Sequence, residues 1–341
     1  MKTRIRIIVA CMLLAAGRST LAAVHFVDLN SPSPTPPYTN WATAARGIQD
    51  AVDTATAGDE VLVTNGTYAT GGRVVYGSLA NRVAVTKPLF LHSVNGPSVT
   101  IIQGYQVPSI TNGDGAIRCV YLTNGVGLAG FTLTNGATRD NSGDADYVLE
   151  QSGGGVWCED SSAVISNCVV TVNSAYNAGG GAYLGTLNNC VLSGNLAQYE
   201  GGGAYDGTLN NCIITGNSAT DRGGGTSYCM LNYCALNENS ASGRGGGAYT
   251  GTLNNCTVIG NSASSGGGAD GCANCAMGGR VPVILNNCIL FFNSAPFGAN
   301  YGQSSSLNYC CTTPLPADGT NNISADPQLP TDSAHLSAGS P

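Results

Sequence analysis

Hydrophobic and polar positions alternate over short distances along most of the chain and recur with a fixed spacing in its second half. The segment LNNCIITGN is typical, because Cys212 and Ile214 share a parity and are flanked by polar residues. Alternation over so few residues predicts short β-strands with one buried face. The Asn210–Asn211 pair before Cys212 predicts a sharp bend, because asparagine tolerates the left-handed backbone conformation. Each unit is therefore expected to consist of short strands separated by tight bends.

The pattern repeats every 22 residues through most of the second half. One unit has a GGGAY-like segment, then TLNNC, an apolar pair and GNSA. This period is too short for solenoids of paired helices, whose repeats run about 33–47 residues. Three short strands and three bends per unit instead predict one coil of a parallel β-helix, with coils about 4.8 Å apart. The cysteines that mark the repeat are Cys168, Cys190, Cys212, Cys234, Cys256, Cys288 and Cys310.

Stacking in register would place equivalent side chains above one another and create ladders. The repeat cysteines would form an inward ladder of small buried side chains. Disulfides between rungs are disfavoured, because stacked side chains hold their Cβ atoms about 4.8 Å apart instead of the preferred ~3.8 Å. A metal or electron-carrying stack is the alternative, but structural metal sites need converging ligands. An amide ladder is expected from Asn188, Asn210, Asn232, Asn254, Asn286 and Asn308.

The N-terminal third has a different pattern. Ile48, Ala51, Val52 and Ala55 follow helical spacing and predict one amphipathic helix within residues 41–57. A solenoid needs its open end covered, and this helix is the expected cap. Irregular strands with longer loops follow. Strands of this region are expected at 25–29, 60–63, 83–85, 89–91, 99–102, 117–122 and 131–133.

Composition agrees with an all-β protein. Charged residues make up 10% of the chain, hydrophobic residues 43%, and glycine accounts for 48 of 341 positions. So much apolar material argues against disorder, and the few charges leave little to cover the exposed faces of a helical bundle. Glycine does not recur at every third residue, which excludes collagen.

The first 23 residues have the features of a secretory signal peptide, with a basic start, an apolar run and small residues before the expected cleavage site. We therefore expect export to the medium or the cell surface, and no apolar run is long enough to span a bilayer. Cleavage would remove Lys2, Arg4, Arg6 and Arg18, leaving 9 basic against 20 acidic residues and a net charge of −11. Such a charge disfavours nucleic acids and anionic membranes as partners.

Two stretches carry a family resemblance. WATAARGIQDAVDTATAGDEVLVTNGTY resembles the N-terminal capping region of bacterial right-handed parallel β-helix proteins of the pectin-lyase-like superfamily. The GGGAY and GNSA units are similar to those of secreted β-helix proteins and to the GGA and FxxN repeats of polymorphic outer-membrane proteins. The tail NISADPQLPTDSAHLSAGSP resembles the start of the choice-of-anchor Q region, whose motif continues further, so we expect a truncated tail.

The resemblance implies a right-handed β-helix and covers nearly all of the mature chain. It implies little about activity, because the superfamily includes lyases, hydrolases, adhesins and proteins of unknown role. We divide the chain into a signal peptide at 1–23, a cap with irregular coils at 24–152, regular coils at 153–311 and a tail at 312–341.

Cys272 and Cys275 are separate from the ladder. They lie in the insertion that lengthens the interval from Cys256 to Cys288 to 32 residues. C-x-x-C spacing occurs in redox-active sites and in half of a zinc site, but no second pair follows at zinc spacing. In an exported protein, a local disulfide that staples the loop is the favoured interpretation.

The acidic segment RDNSGDADY offers candidate metal and catalytic residues. Asp140, Asp144 and Asp146 are candidate calcium ligands, since Ca²⁺ takes six to eight oxygen ligands, and a solvated acidic loop is the alternative. The resemblance implies that a lyase would remove a proton from a uronic acid with Arg or Lys, and that a hydrolase would use paired Asp residues. Arg118, Arg139 and Asp144 on the long N-terminal loops are the candidate catalytic residues.

Aromatic residues follow the glycine triplet in four units, at Trp157, Tyr183, Tyr205 and Tyr249. Stacked in register, they would form a stripe along the solenoid. An exposed stripe would bind sugar rings, while a packed ladder that covers the core is the alternative.

Charged residues also repeat. Glu200, Arg222 and Arg244 are spaced by 22 residues and are expected to form an ion-pair ladder on the surface, worth about 0–1 kcal/mol per pair. The regular coils contain no repeated pair of aspartates on one face, which argues against catalysis there.

The sequence therefore predicts an exported right-handed parallel β-helix that binds polysaccharides or cell-surface glycans, or contributes to adhesion, without catalysis. A polysaccharide lyase or glycoside hydrolase that acts on an acidic polysaccharide is the alternative. A third hypothesis is a structural or assembly element whose coils stack end to end. Calcium is the one cofactor that the acidic segment suggests.

Overall fold

The computed structural model describes residues 22–143, 145–273 and 280–328. The chain winds as a right-handed parallel β-helix, so the predicted fold class is confirmed. Each strand pairs with its equivalent in the next coil, as in the register of Thr186 with Thr208 and of Leu187 with Leu209. No helix in these ranges is long and apolar enough to cross a membrane.

Two long parallel sheets form two faces of the coil. The first sheet contains, within the described residues, the strands Val24–Val27, Glu60–Val63, Phe90–Ser93, Gly127–Ala129, Val164–Ser166, Thr186–Asn188, Thr208–Asn210, Met230–Asn232, Gly251–Asn254, Val283–Asn286 and Ser305–Asn308. The second sheet contains Gly66–Tyr68, Thr100–Gln103, Thr132–Thr134, Val169–Thr171, Val191–Ser193, Ile213–Thr215, Ala235–Asn237, Thr257–Ile259, Ile289–Phe291 and Cys311–Thr312.

A third sheet closes the coil, and a short fourth sheet lies between the second and the third. The third sheet contains Arg73–Val74, Ala80–Val85, Ile117–Leu122, Val156–Cys158, Ala182–Tyr183, Ala204–Tyr205, Thr226–Ser227, Ala248–Tyr249 and Ala269–Asp270. Its first strand pairs antiparallel with the next. The fourth sheet contains Ser174–Ala175, Leu196–Ala197, Ser218–Ala219 and Ser240–Ala241.

The N-terminal helix is shorter than the sequence predicts. A 3₁₀ turn spans Trp41–Thr43 and the α-helix spans Ile48–Thr54, burying Ile48, Ala51 and Val52 against the first coils. The helix ends because the next residue, Ala55, is extended.

The predicted bends are confirmed by left-handed backbone conformations. Asn211 has φ of 52°, and Gly216 and Gly201 have φ of 61° and 65°. The second glycine of each triplet has another role. A Cβ atom on Gly202 would lie 2.2 Å from the carbonyl oxygen of Ser218 and 2.4 Å from that of Gly224, so only glycine fits between these backbones.

The cysteine ladder lies inside the coil, as predicted. The backbone N–H of Cys212 donates to Sγ of Cys234 at 3.4 Å, and the Cys212 thiol donates to the carbonyl of Asn210 at 3.3 Å. The ladder cysteines carry free, buried thiols. Burial raises the pKa of the Cys168 thiol to about 11, which keeps it protonated and chemically inert.

The outer asparagine ladder is confirmed through five rungs. Nδ2 of Asn210 donates to Oδ1 of Asn188 at 2.9 Å, and the same bond joins Asn232, Asn254 and Asn286 to the preceding rung. Asn308 departs from the pattern, since its Oδ1 accepts from Thr320 instead.

A second asparagine ladder, inside the coil, was not predicted. Oδ1 of Asn217 accepts from both the backbone N–H and the side chain of Asn195, at 3.0 and 2.9 Å. Nδ2 of Asn217 donates to the carbonyl of Leu192 at 2.9 Å. The remaining members of this buried ladder are Asn173, Asn239, Asn261, Asn293 and Asn300.

Candidate functional site

The outer face of the third sheet carries a column of aromatic side chains, which we call the aromatic column. Trp157 stacks on Tyr183 with ring centroids 6.1 Å apart and parallel planes, and Tyr183 stacks on Tyr205 at 5.4 Å. Tyr121 stacks on the other side of Trp157 at 5.3 Å. Tyr121 belongs to an irregular coil, so the 22-residue period did not identify it.

One end of the aromatic column is covered by a loop. Val148 and Leu149 pack against Tyr121 and Trp157, and the indole N–H of Trp157 donates to the carbonyl of Val148 at 3.1 Å. Trp157 is 5% exposed. Tyr183 and Tyr205 lie beyond this cover and are half-buried. Because their rings stack face to face, it is their edges that are available to solvent.

The stacking is interrupted at one rung. Ser227 occupies the position that tyrosine holds in the coils on either side. The next residue, Tyr228, has φ of 57° and places its ring 5.5 Å from Tyr205 and 6.0 Å from Tyr249. The Tyr228 ring is inclined to both neighbours, by 60° and 88°, and is 37% exposed, whereas Tyr249 is buried. Tyr228 is thus the residue at this rung whose ring points out of the stack towards solvent.

Charged residues border the aromatic column at the adjacent corner of the coil. Glu200, Arg222 and Arg244 stack in register there, as predicted. Arg222 pairs with Glu200 and with Asp221, both at 3.2 Å, and its guanidinium lies 5.3 Å from the centre of the Tyr249 ring.

The predicted ion-pair ladder is wrong for Arg244. Its neighbours in the stack are Arg222, which has the same charge, and Ser265, so no carboxylate is in register with it. Its backbone is hydrogen-bonded to Asp221 and Gly223, but its side chain makes neither a hydrogen bond nor an ion pair among the described residues.

The carboxyl group of Glu200 lies in a partly apolar setting. It accepts a hydrogen bond from the Ser227 hydroxyl at 3.1 Å. Burial raises the pKa of Glu200, although the nearby Arg222 acts in the opposite direction. Burial also raises the pKa of Tyr205, and the negative charge of Glu200 adds to that effect. The group therefore presents a carboxyl, a guanidinium and several phenols side by side.

A cavity of about 600 Å³ continues this face towards the C-terminal end. Arg244 and Asp270 line it on the side of the aromatic column, and Phe297 and Tyr301 line it on the other side. Phe297 is 75% exposed. The buried carboxylate of Asp270 accepts hydrogen bonds from the Ser265 hydroxyl at 2.9 Å and the Gly271 N–H at 2.8 Å.

Arg118, one candidate catalytic residue, is buried on the strand Ile117–Leu122 and does not lie on a loop as expected. Its guanidinium donates to Oδ1 of Asn81 and to the carbonyls of Leu149, Ser152 and Gly153 at 2.7–2.8 Å. Burial lowers its pKa to about 9. These contacts anchor the loop that covers Trp157.

Arg139 ties two loops together. It pairs with Asp114 at 2.8 Å and with Glu150 at 3.4 Å, and Glu150 in turn accepts from the backbone N–H groups of Ser78 and Leu79. Asp144, the third candidate catalytic residue, lies outside the described residues.

The candidate calcium ligands that the structure describes make local hydrogen bonds. Asp140 accepts from the Ser142 N–H at 2.9 Å, and Asp146 accepts from the N–H groups of Val148 and Leu149 at 2.8 Å. Within the described ranges, no three His, Cys, Asp or Glu side chains come together as a possible metal site. Cys272 is disulfide-bonded, while Cys275, its expected partner, lies outside the described residues.

Neither a family model nor a curated protein matches the chain. Among solved structures, pectate lyase Pel9A superposes with a TM-score of 0.57 at 12% identity, covering 94% of this chain and 90% of that one. A pectin methylesterase from carrot has a TM-score of 0.42 at 12% identity, covering 85% and 89%. A polygalacturonase from Erwinia carotovora has 0.44 at 11%, covering 92% and 95%. At such low identity, the likeness shows the parallel β-helix fold alone.

Proposed function

We propose that this protein is an exported β-helix module that binds glycan chains along the aromatic column, without catalysis. The observation that carries the proposal is the outward-turned ring of Tyr228, set between Tyr205 and Tyr249 and beside the Glu200–Arg222 pair.

The chemistry of this group suits sugars. A sugar ring presents apolar C–H faces and a rim of hydroxyl groups, so its sites combine aromatic rings with fixed hydrogen-bonding groups. Tyr228 offers the ring, while the Glu200 carboxyl, the Arg222 guanidinium and the Tyr205 phenol offer donors and acceptors within the same rungs. Their positions are held by stacking and hydrogen bonds, which lowers the entropy cost of binding.

The geometry also suits a polymer. Coils repeat about every 4.8 Å along the solenoid, so equivalent groups recur in a straight line. A ligand with its own linear repeat can contact several rungs at once, and weak contacts then add through effective concentration. Tyr183 and Tyr205 extend the face on one side of Tyr228.

Export supports an extracellular ligand. The signal-peptide features lie in residues 1–23, most of which are outside the described residues, and cleavage there is part of the proposal. The acidic net charge of the mature chain argues for a ligand that is not strongly anionic overall.

The test is a pair of substitutions in one coil. Tyr228 and Tyr233 both have φ of 57°, are 37% and 65% exposed, and lie on different faces. In Tyr228→Asn and Tyr233→Asn, asparagine tolerates the left-handed backbone, so both variants should fold. We expect glycan-array binding by the native protein, a loss of about three- to tenfold in affinity for Tyr228→Asn and no change for Tyr233→Asn. Absence of any glycan ligand, or equal losses in both variants, contradicts the proposal.

One observation favours the enzyme alternative. Arg222 lies 3.2 Å from each of two carboxylates, and one of them, Glu200, has a raised pKa. A general acid needs such a raised pKa. The assay is incubation with polyuronates and neutral polysaccharides, with and without Ca²⁺, followed by detection of unsaturated products and new reducing ends. Product formation that Glu200→Gln abolishes would replace the non-catalytic proposal with catalysis at this group.

A further inference from the structure

Arg244 stands apart from the other basic residues of the mature chain. The side chains of eight of the nine donate a hydrogen bond or form an ion pair within the described residues, and the exception is Arg244. The acceptors of the others are side-chain carboxylates, backbone carbonyls or, for Arg118, also the amide oxygen of Asn81. A guanidinium has five N–H donors in a rigid fork, so an exposed one that faces a cavity is a ready binding group.

The cavity beside Arg244 has the properties of a ligand pocket. Its volume, about 600 Å³, falls in the range of small-molecule sites. Phe297 lies two rungs beyond Arg244 in the same stack, roughly 10 Å away at the spacing of parallel strands. Phe297 stacks on no other aromatic ring of the described residues, in contrast to Tyr183, so a face of its ring is available for the C–H face of a sugar.

The positive charge and planar shape of the Arg244 guanidinium favour a carboxylate as its ligand group. A guanidinium pairs most strongly with a planar carboxylate, through two parallel hydrogen bonds. Asp270, on the same wall, is 2% exposed, and both its oxygens already accept hydrogen bonds from Ser265 and Gly271. The negative charge of Asp270 therefore favours a ligand bound with its carboxylate at Arg244 and its neutral hydroxyls at the Asp270 side.

We propose that the cavity lined by Arg244, Asp270 and Phe297 is a subsite for a single sugar unit that bears a carboxylate. The inference rests on the proposed function, because the cavity continues the face of the aromatic column. Asp270, which lines the cavity, is in register with Tyr249 on the next rung of the third sheet. Because the mature chain has a net charge of −11, the subsite suits one acidic unit in an otherwise neutral glycan, and a polyanion would be repelled.

The experiment compares oligosaccharides that differ in one group. The probes are a glucuronate-terminated trisaccharide, the same trisaccharide reduced to a terminal glucose, and its terminal glucose 6-sulfate analogue. Calorimetry with the native chain from residue 24 should give an affinity for the acidic probe about tenfold above that for the neutral one. This preference should weaken as the salt concentration is raised, because dissolved ions screen the attraction between Arg244 and the ligand carboxylate.

Arg244→Gln should remove the preference for the acid and leave the affinity for the neutral probe unchanged. The substitution breaks no hydrogen bond of the described residues, so the variant should fold like the native protein. The matched control is Arg73→Gln, an exposed arginine paired with Asp53 on the N-terminal loops, which should keep the preference. Arg244→Lys should restore part of it, since a lysine keeps the charge without the planar fork.

The outcomes separate the two proposals. Equal affinity for acidic and neutral probes, or an acid preference that survives Arg244→Gln, overturns the subsite while leaving glycan binding intact. A stronger response to the sulfate than to the carboxylate overturns the carboxylate assignment. Absence of binding by all three probes and by free glucuronate in saturation-transfer NMR overturns the subsite. Arg244-dependent binding of free glucuronate, without binding of any longer glycan, keeps the subsite and contradicts the aromatic column as a glycan site.

Discussion

Asn195 accepts two hydrogen bonds from Asn173 at a single side-chain oxygen, one from the backbone N–H and one from the side-chain amide, both at 3.0 Å. The contact joins two coils in the interior of the solenoid, where Asn195 is fully buried. The same arrangement recurs in successive coils and satisfies backbone groups that the corner of each coil would otherwise leave unpaired.

Asn217→Ala should destabilise the protein strongly, whereas Asn210→Ala on the outer ladder should not. Loss of the Asn217 side chain removes the partner of the Asn195 N–H, of one of the two Asn195 amide hydrogens and of the Leu192 carbonyl, all in the buried interior; the other amide hydrogen still donates to Val170. At about 1–3 kcal/mol per buried group, the cost is at least ~3 kcal/mol. Asn210 is only half-buried, so water replaces its partners at a cost of about 1 kcal/mol.

Urea unfolding followed by circular dichroism measures both variants. The coils of a solenoid interact mainly with their neighbours, so the midpoint and the slope should both be compared. Similar midpoints for Asn217→Ala and Asn210→Ala would show that the inner ladder has no special role.

The two asparagine ladders show how far sequence patterns reach. The bend at Asn211 and the outer ladder could be predicted, because asparagine favours left-handed turns and in-register stacking follows from the period. The position of Asn217 inside the coil could not be predicted, because the alternation of inward and outward side chains along a strand does not continue through a corner. Only the path of the backbone after Gly216 decides which side of the corner the next residue faces.

Part of the candidate site could likewise be predicted from the sequence, and part could not. Stacking of Tyr183 on Tyr205 followed from their spacing. The inclined ring of Tyr228 did not, because it depends on the gap that the preceding residue, Ser227, leaves between Tyr205 and Tyr249. The unpaired Arg244 was also missed. Stacking predicted an ion pair, but pairing requires opposite charges on adjacent rungs, and Arg244 follows another arginine.

Among the described cysteines with free thiols, Cys311 alone should react with a maleimide in the native protein. It is half-buried near the C-terminal end, whereas the others are buried, and burial raises the pKa of Cys119 and Cys229 to about 12. The reactive thiolate is thus both scarce and inaccessible at these two buried positions, and the ladder cysteines are protected by their burial.

Mass spectrometry after brief labelling of the chain from residue 24 identifies the modified cysteine. Cys311→Ser should abolish the rapid label, and labelling in urea should reveal the remaining thiols. Rapid modification of Cys212 or Cys234 under native conditions would mean that the solenoid opens locally.

Acid should erase the stabilising contribution of Glu150. Burial acts to raise the pKa of this carboxyl, but hydrogen bonds from Ser78, Asp146 and Arg139 prevail, so its pKa lies below the ordinary 4.5. A carboxyl with a lowered pKa stabilises the fold fully above its unfolded-state pKa, and this contribution is lost as pH falls through the folded-state pKa. Glu150→Gln should therefore cost about 1–3 kcal/mol at pH 7.

Below pH 4.5 the difference in stability between native protein and Glu150→Gln should shrink steadily. Chemical denaturation at a series of pH values provides the measurement. Asp318 is exposed, and Asp318→Asn should leave stability unchanged at every pH. A Glu150→Gln penalty that stays constant down to pH 3 would show that the charge of Glu150 is unimportant.

Glycine at two positions of one repeat is required for different reasons, and substitution should separate them. A Cβ on Gly202 would meet backbone oxygens of Ser218 and Gly224 at 2.2 and 2.4 Å, and paired strands prevent these oxygens from moving away. Gly216 has φ of 61° but no atom within 4 Å of a Cβ, so a side chain there costs only the left-handed strain of about 1–2 kcal/mol. We expect Gly202→Ala to prevent folding or lower the urea midpoint sharply, and Gly216→Asn to be nearly neutral, because asparagine tolerates this conformation. Glu238 already occupies the equivalent of Gly216 in the next coil with φ of 56°. Equal urea midpoints for Gly202→Ala and Gly216→Asn would contradict this expectation. They would mean that the coils can move apart locally to admit the Cβ atom, so that close backbone packing does not require glycine at position 202.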